Sequence, residues 1–276
     1  MKISATSALV LNWTAADVWL SPQAAAYTKA LDLSEGSGLL SVFDDEERYM
    51  HLNAVSNRKH FVRAEAIKFI EEHSDTDEPQ VLVLAAGIAP LSIDIAALYP
   101  RAKVFDVDKY LMEDKERFLN NALRNISFIT ADITDTISLS KELQAAGWKP
   151  KSPTIAILEG ITYYLPENDL KHLLQFLAEH SCTVAGDFGV LPQLVDEHNR
   201  HIGLQLFQKI KATIGLENTY NYDPKYFIDL LTEAGFTDEK RVLLSTIQQN
   251  FRGQIKPFEG EEPCWISMFS AKPAIG

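Results

Sequence analysis

The sequence predicts a doubly wound α/β fold: a mostly parallel, seven-stranded sheet with an N-terminal helical extension and a helical lid insertion. Three observations carry that prediction. Short, fully apolar runs alternate with helical patterns between residues 80 and 190, as buried parallel strands and their crossover helices require. The first of these runs ends in small residues, Ala85-Ala86-Gly87, where an open α/β sheet admits a ligand. Beyond Asp223 the alternation stops, and the last two strand-like runs read as an antiparallel pair at one edge.

In chain order, residues 1–75 read as a helical cap, broken at Ser21-Pro22 and Gly36-Ser37-Gly38. Within it, residues 57–72 space Phe61, Ala64, Ile67, Phe69 and Ile70 as a helix that packs one face on the segment after it. A ligand-binding core spans 76–190. Its strands are predicted at 80–85, 103–107, 126–130, 154–158 and 182–188, with helices over 90–99, 109–121 and 166–179. Residues 191–276 supply the lid insertion and then a helix from Asp223-Pro224 through Ala234, capped by Gly235. Strands over 240–247 and 265–270 come last, with no helix between them. No repeat, low-complexity tract or linker divides the chain, which reads as a single domain.

Composition narrows the class further. Hydrophobic residues are 46% and charged residues 23% of 276, a globule able to bury a core without disulfides or metal. No run reaches the ~18 apolar residues of a membrane span. The N-terminal apolar run is interrupted by Asn12 and Thr14, which argues against a secretory signal. Cys182 and Cys264 lie far apart, without the spacing of a metal or redox pair, which suits a reducing, cytoplasmic compartment. A formal net charge of −12 disfavours a nucleic-acid surface. The expected partner is a small molecule, and the sequence does not speak to oligomeric state.

The chemistry lies at the carboxyl ends of the predicted strands. Gly87 can take a positive φ, and the alanines beside it let backbone approach a ligand; one glycine is too few for a pyrophosphate cradle. The second strand ends Asp106-Val107-Asp108, and Asp108, nearer the ligand end, is placed to accept both hydroxyl protons of a ribose. A solvated strand end is the alternative. Asp132, after the third strand, can accept from an adenine amino group with Ile133 against the ring, or simply cap a helix. Glu159 closes the fourth strand, where a buried carboxylate demands a partner. Glu197 and His201 share a helix face, more in keeping with a polar surface than with a metal site.

These segments resemble the leucine carboxyl methyltransferase family of S-adenosylmethionine-dependent enzymes, over about two fifths of the chain from Asn57 to Pro166. Asn57-Arg58 with Arg63 is similar to the family's Arg-Gly-Tyr-x-x-Arg element, LAAGIAP to its Leu-Gly-Ala-Gly-hydrophobic-Asp loop, and FDVD to its Phe-Glu-Val-Asp strand end. TADITD and LEGITYYLP are similar to its adenine and Glu-Gly/Cys-x-x-x-Tyr segments. The resemblance implies a class I methyltransferase sheet and a cofactor site of Arg63, Ala85, Gly87, Asp108, Asp132, Ile133 and Glu159. In it Arg63 meets the cofactor's carboxylate, Asp108 the ribose, Asp132 the adenine side and Glu159 the amino acid moiety. Ala86 and Ala89 depart from the loop pattern, and the Asp-Thr-x-x-x-Arg run after it is absent. No basic N-terminal element precedes Asn57.

The implied activity is in-line methyl transfer to a carboxylate or hydroxyl of a small molecule, with a protein C-terminal carboxylate as the alternative acceptor. A carboxylate acceptor needs no base; for a hydroxyl, Tyr164 or His60 are the candidates. A nicotinamide-dependent oxidoreductase and a non-catalytic cofactor-binding protein are the rival classes. The missing second and third glycines count against the oxidoreductase.

Overall fold

The computed structural model describes residues 5–75, 78–110, 112–119, 122–214, 219–254, 256–258 and 264–274. The cap comprises α1 (Ala5–Asn12), α2 (Pro22–Ala30), α3 (Ser34–Leu40) and α4 (Asp45–Glu72). The core runs β1 (Gln80–Leu84), α5 (Leu91–Leu98), β2 (Lys103–Asp108), α6 (Met112–Leu119), β3 (Ile126–Thr130) and α7 (Thr136–Ala145). It continues with β4 (Thr154–Leu158), α8 (Glu167–Glu179) and β5 (Cys182–Val190). The last part holds α9 (Glu197–Ile214), β6 (Asn221–Tyr222), α10 (Pro224–Glu233), β7 (Phe236–Val242), α11 (Leu244–Arg252) and β8 (Ile266–Pro273).

Seven strands form one sheet in the order β3-β2-β1-β4-β5-β8-β7, and the two-residue β6 pairs beside β5. β1 to β5 are mutually parallel where they pair, while β8 runs antiparallel to both β5 and β7. The predicted antiparallel pair is therefore present, with β8 inside the sheet and β7 at its edge. Every residue of β1 and β4 is buried, which is why these runs carry no polar alternation.

Two expectations are corrected. Residues 240–247 are not one strand, and a helix does lie between the last two strands: β7 ends at Val242, and α11 turns Leu244, Ile247 and Gln248 inward at helical spacing before β8. Gln248 then accepts a 2.6 Å hydrogen bond from the Asn57 side chain, fastening α11 to α4. The helix at 57–72 is the second half of α4, which starts at a capping box: Asp44 accepts from the Glu47 N–H, and Glu47 accepts from the Asp44 N–H. The predicted helix 109–121 is described only over α6; residues 111, 120 and 121 lie outside the described residues.

α4 explains how the cap reaches the sheet. It is buried along polar as well as apolar positions, including His51, Asn57, Arg58, Lys59 and Arg63. A helix that buries this many polar groups must find partners for them, and those partners define the site.

Candidate functional site

Strand order reverses beside β1, with β2 on one side and β4 on the other. A cleft of about 180 Å³ opens at that reversal, lined by the end of β1 and the turn through Ala89, by Glu159 and Gly160 after β4, and by Arg58, Lys59, Tyr163 and Tyr164. Thr6, Ser7, Val10 and Leu11 of α1 close one wall. This is the crevice at which open α/β sheets take ligands.

The turn is built for close approach. Ala85 and Gly87 both have positive φ, 53° and 52°. A Cβ added at Gly87 meets nothing within 4 Å, so the backbone there faces open space. The Gly87 N–H donates to Asp108 Oδ2 at 2.8 Å, and the Tyr110 N–H donates to Oδ1 at 3.0 Å. Each Asp108 oxygen keeps a second lone pair for a ligand hydroxyl. Asp106, one pleat below, is wholly buried and committed to Lys115 Nζ at 2.7 Å and to the Ser92 hydroxyl.

The floor carries a charged network. Glu159 Oε1 accepts from Lys59 Nζ at 2.7 Å and from Arg58 Nε at 3.1 Å, and the second of these also reaches it through Nη2. Among the described residues, Glu159 Oε2 accepts no hydrogen bond. Burial works to raise the Glu159 carboxyl, but Lys59 and Arg58 outweigh it and hold it below its ordinary value. Arg58 Nη1 donates to the Tyr163 hydroxyl at 3.0 Å and lies 3.7 Å from Asp187 Oδ2. Asp187 Oδ1 accepts from the Gly160 N–H at 2.6 Å, and burial, against Arg58, pushes its carboxyl up to about 6. Gly160 has φ 70°, and a Cβ there would press on the Arg58 guanidinium at 3.3 Å.

Of the residues singled out from sequence, Ala85, Gly87, Glu159 and Tyr164 line the cleft, and Asp108 joins it through Gly87. Asp132 and Ile133 come directly after β3, with Ile133 buried. Asp132 Oδ2 pairs with Lys109 at 2.8 Å, and its Oδ1 accepts from both the Thr134 N–H and hydroxyl. Arg63 and His60 are not among the cleft's lining residues. Arg63 Nη2 lies 3.3 Å from His60 Nδ1, and its Nε and Nη1 are buried with no partner among the described residues. The His60 ring stacks on Phe251 at 3.9 Å. Burial, with Arg63 and Arg252 nearby, lowers His60 to about 4, against the pull of Asp17.

Lys59 and Asp187 were not anticipated as site residues. Each had a signal: adjacent cations Arg58-Lys59 inside an otherwise packable helix, and a lone acid inside the apolar run 182–190.

Strand order and a cleft at the switch point define the class: this is the class I methyltransferase sheet. The chain belongs to the leucine carboxyl methyltransferase family, whose model matches residues 16–178. It is an S-adenosylmethionine-dependent methyltransferase. Among solved structures, it is similar to a DUF574 family protein from Streptomyces avermitilis, at TM-score 0.60 and 13% identity over 98% of each chain. It is also similar to magnesium protoporphyrin IX methyltransferase from Synechocystis PCC 6803, crystallised with bound S-adenosylhomocysteine. There the TM-score is 0.51 and the identity 13%, over 87% of this chain and 95% of the other. These likenesses establish the fold. No curated protein matches the sequence. Among the described residues no helix is long and apolar enough to cross a membrane.

Proposed function

We propose that the protein methylates an oxygen of a small-molecule acceptor, a carboxylate in preference to a hydroxyl. The carrying observation is the protonation state of the cleft. Tyr164 is raised above its ordinary value by burial, despite Arg58, and so keeps its proton at neutral pH. Glu159 is held low and is already bonded to two cations, which makes it a poor base. Lys59 is bound to Glu159, and His60 is turned toward Arg63 and Phe251. An acceptor that arrives ionised suits such a cleft, and a carboxylate does at neutral pH.

The cleft suits the cofactor as well. The uncovered turn at Gly87 is a cradle that a side chain would fill, and Asp108 stands at its rim as the ribose partner. Glu159 is the carboxylate for the cofactor's ammonium, and Asp132 with Ile133 belongs to the adenine side. When bound, S-adenosylmethionine supplies a methyl group on a good leaving group, so the chain's task is alignment and exclusion of water. Helix α1, whose Val10 and Leu11 face the cleft, serves that exclusion. The free, buried Cys182 and Cys264 support a reducing, cytoplasmic setting.

The test is incubation with methyl-labelled S-adenosylmethionine and matched pairs of small acceptors, a carboxylic acid and the corresponding alcohol or phenol. Label recovered as base-labile methyl ester supports the reading. Label confined to ethers, amines or protein C-termini overturns it.

A further inference from the structure

We infer a second binding site at the end of the sheet opposite the cofactor cleft, built for the phosphate group of a small molecule. A cavity of about 390 Å³ lies there, where β1, β2 and β3 begin and α7 runs on toward β4. Lys103, Arg124 and Lys149 line it, with Glu78 the one carboxylate among the described residues of its wall. Three cations against one anion stand out in a chain whose formal net charge is −12. The cavity shares no lining residue with the cofactor cleft.

These cations are uncommitted. Lys103 reaches Glu78 only at 4.0 Å, and both side chains are about half exposed. Among the described residues, the side chains of Arg124 and Lys149 make no hydrogen bond or ion pair, and neither does the Ser127 hydroxyl on the same wall. In the cofactor cleft, by contrast, Arg58 and Lys59 are both bonded to Glu159.

Their backbones, however, are held in place. Gln80 of β1, only 2% exposed, accepts from the Lys149 N–H at 2.8 Å and donates to the Lys149 carbonyl at 2.9 Å. The Asn125 side chain donates to the carbonyls of Ala96, Tyr99 and Ala102, and its own carbonyl accepts from the Val104 N–H at 2.8 Å. That fixes the turn carrying Arg124. Lys103 opens β2, and its N–H donates to the Pro79 carbonyl at 2.9 Å. Gly147, at φ 99°, presents backbone to open space, since a Cβ there meets nothing within 4 Å. Solvated surface cations need no such anchoring; a site that receives an oxyanion gains affinity from it.

The donors suit phosphate. A guanidinium gives it two parallel N–H bonds, ammonium groups add point charge, and a hydroxyl donates once more. Three cations around one concavity match the charge of roughly −2 on a phosphate monoester. A nucleic-acid backbone would need an extended stripe of them. The volume lies within the range of about 300–1,000 Å³ typical of small-molecule sites, so the cavity holds more than the ion alone.

Calorimetric titration of the intact protein with inorganic phosphate and with glycerol 3-phosphate, at about 0.1 M NaCl, tests the site. At least one should bind at a single site with a Kd of about 1 mM or tighter. The double variant Arg124→Gln, Lys149→Gln should weaken binding at least roughly tenfold, from loss of charge-assisted bonds. Lys225→Gln, a distant exposed cation on α10, should change it by less than about twofold. All three substituted side chains face solvent, so the variants should keep the thermal midpoint of the unmodified protein. Saturating S-adenosylhomocysteine should leave the titration unchanged. Tighter binding of glycerol 3-phosphate assigns an organic phosphate to the site, and tighter binding of inorganic phosphate the free ion. No saturable binding up to about 10 mM, full affinity in the double variant, or displacement by S-adenosylhomocysteine overturns the inference.

Discussion

A carboxylate at the rim of a cleft differs from one beneath it by what can still reach its oxygens. Asp106 and Asp108 share a strand face, yet Asp106 is wholly buried with Lys115 and Ser92 both on its Oδ2, while Asp108 is half-buried and takes one backbone N–H on each oxygen. Asp108→Ala should weaken S-adenosylhomocysteine binding at least roughly tenfold, from loss of charge-assisted bonds to the ribose. Asp108→Asn, which keeps one acceptor oxygen, should lose less; isothermal titration separates the two. Equal affinity of Asp108→Ala and the unmodified protein would refute the ribose assignment. Asp108 and Glu159 were legible because each is an acid ending an apolar strand, a placement that local chemistry does not require. Lys59 and Asp187 were not legible as a pair. Lys59 meets Glu159 across 100 residues of chain, and only the folded sheet brings them together.

Single elements set what those residues can do. The turn after β1 holds Gly87 at φ 52° with open space where a Cβ would go. Gly87→Ala should therefore cost about 1–2 kcal/mol of stability from backbone strain alone, measured by urea unfolding. Ligand affinity should fall further, because the new methyl enters the cradle. On α4, His51 is buried among the rings of Trp13, Phe43 and Trp265, and Nε2 has no partner among the described residues. Burial, assisted by Lys209 against Asp44, lowers it to about 3. Its folded value lies below its unfolded one, so its stabilising contribution is full above about 6.5 and fades as pH falls toward 3. Between pH 7 and pH 5 the loss from this group should be about 2 kcal/mol. His51→Phe, which keeps a ring in place, should remove most of that slope in denaturation midpoints; an unchanged slope would refute the assignment. At this scale the long apolar strands were readable because both faces are buried. α7 and α11 were not: each buries only two or three residues, and α11 starts directly after β7 with no capping side chain to mark the change from strand to helix.

At the scale of the molecule, one hydrophobic core joins the cap to the sheet. It runs from Ala8 and Trp19 through Val81–Leu84 to Met268 and Phe269 without a break. Because cap and sheet share this core, the chain should unfold in one cooperative step. A ligand held between α4, the ends of β1 and β4, and Asp108 of β2 touches parts that separate only in that step. Its binding energy should then appear in full as global stability. At a hundredfold excess over its Kd, S-adenosylhomocysteine should add about 2.7 kcal/mol. For a chain of this length that is a rise in Tm of about 5 °C. NADH at the same concentration should leave Tm unchanged, because one glycine in the turn offers no pyrophosphate cradle. Differential scanning calorimetry of the intact chain reads both effects. A rise with NADH and none with S-adenosylhomocysteine would transfer the site to the oxidoreductase class. Two transitions, with only the higher one moved by S-adenosylhomocysteine, would show that the cap folds apart from the site it covers.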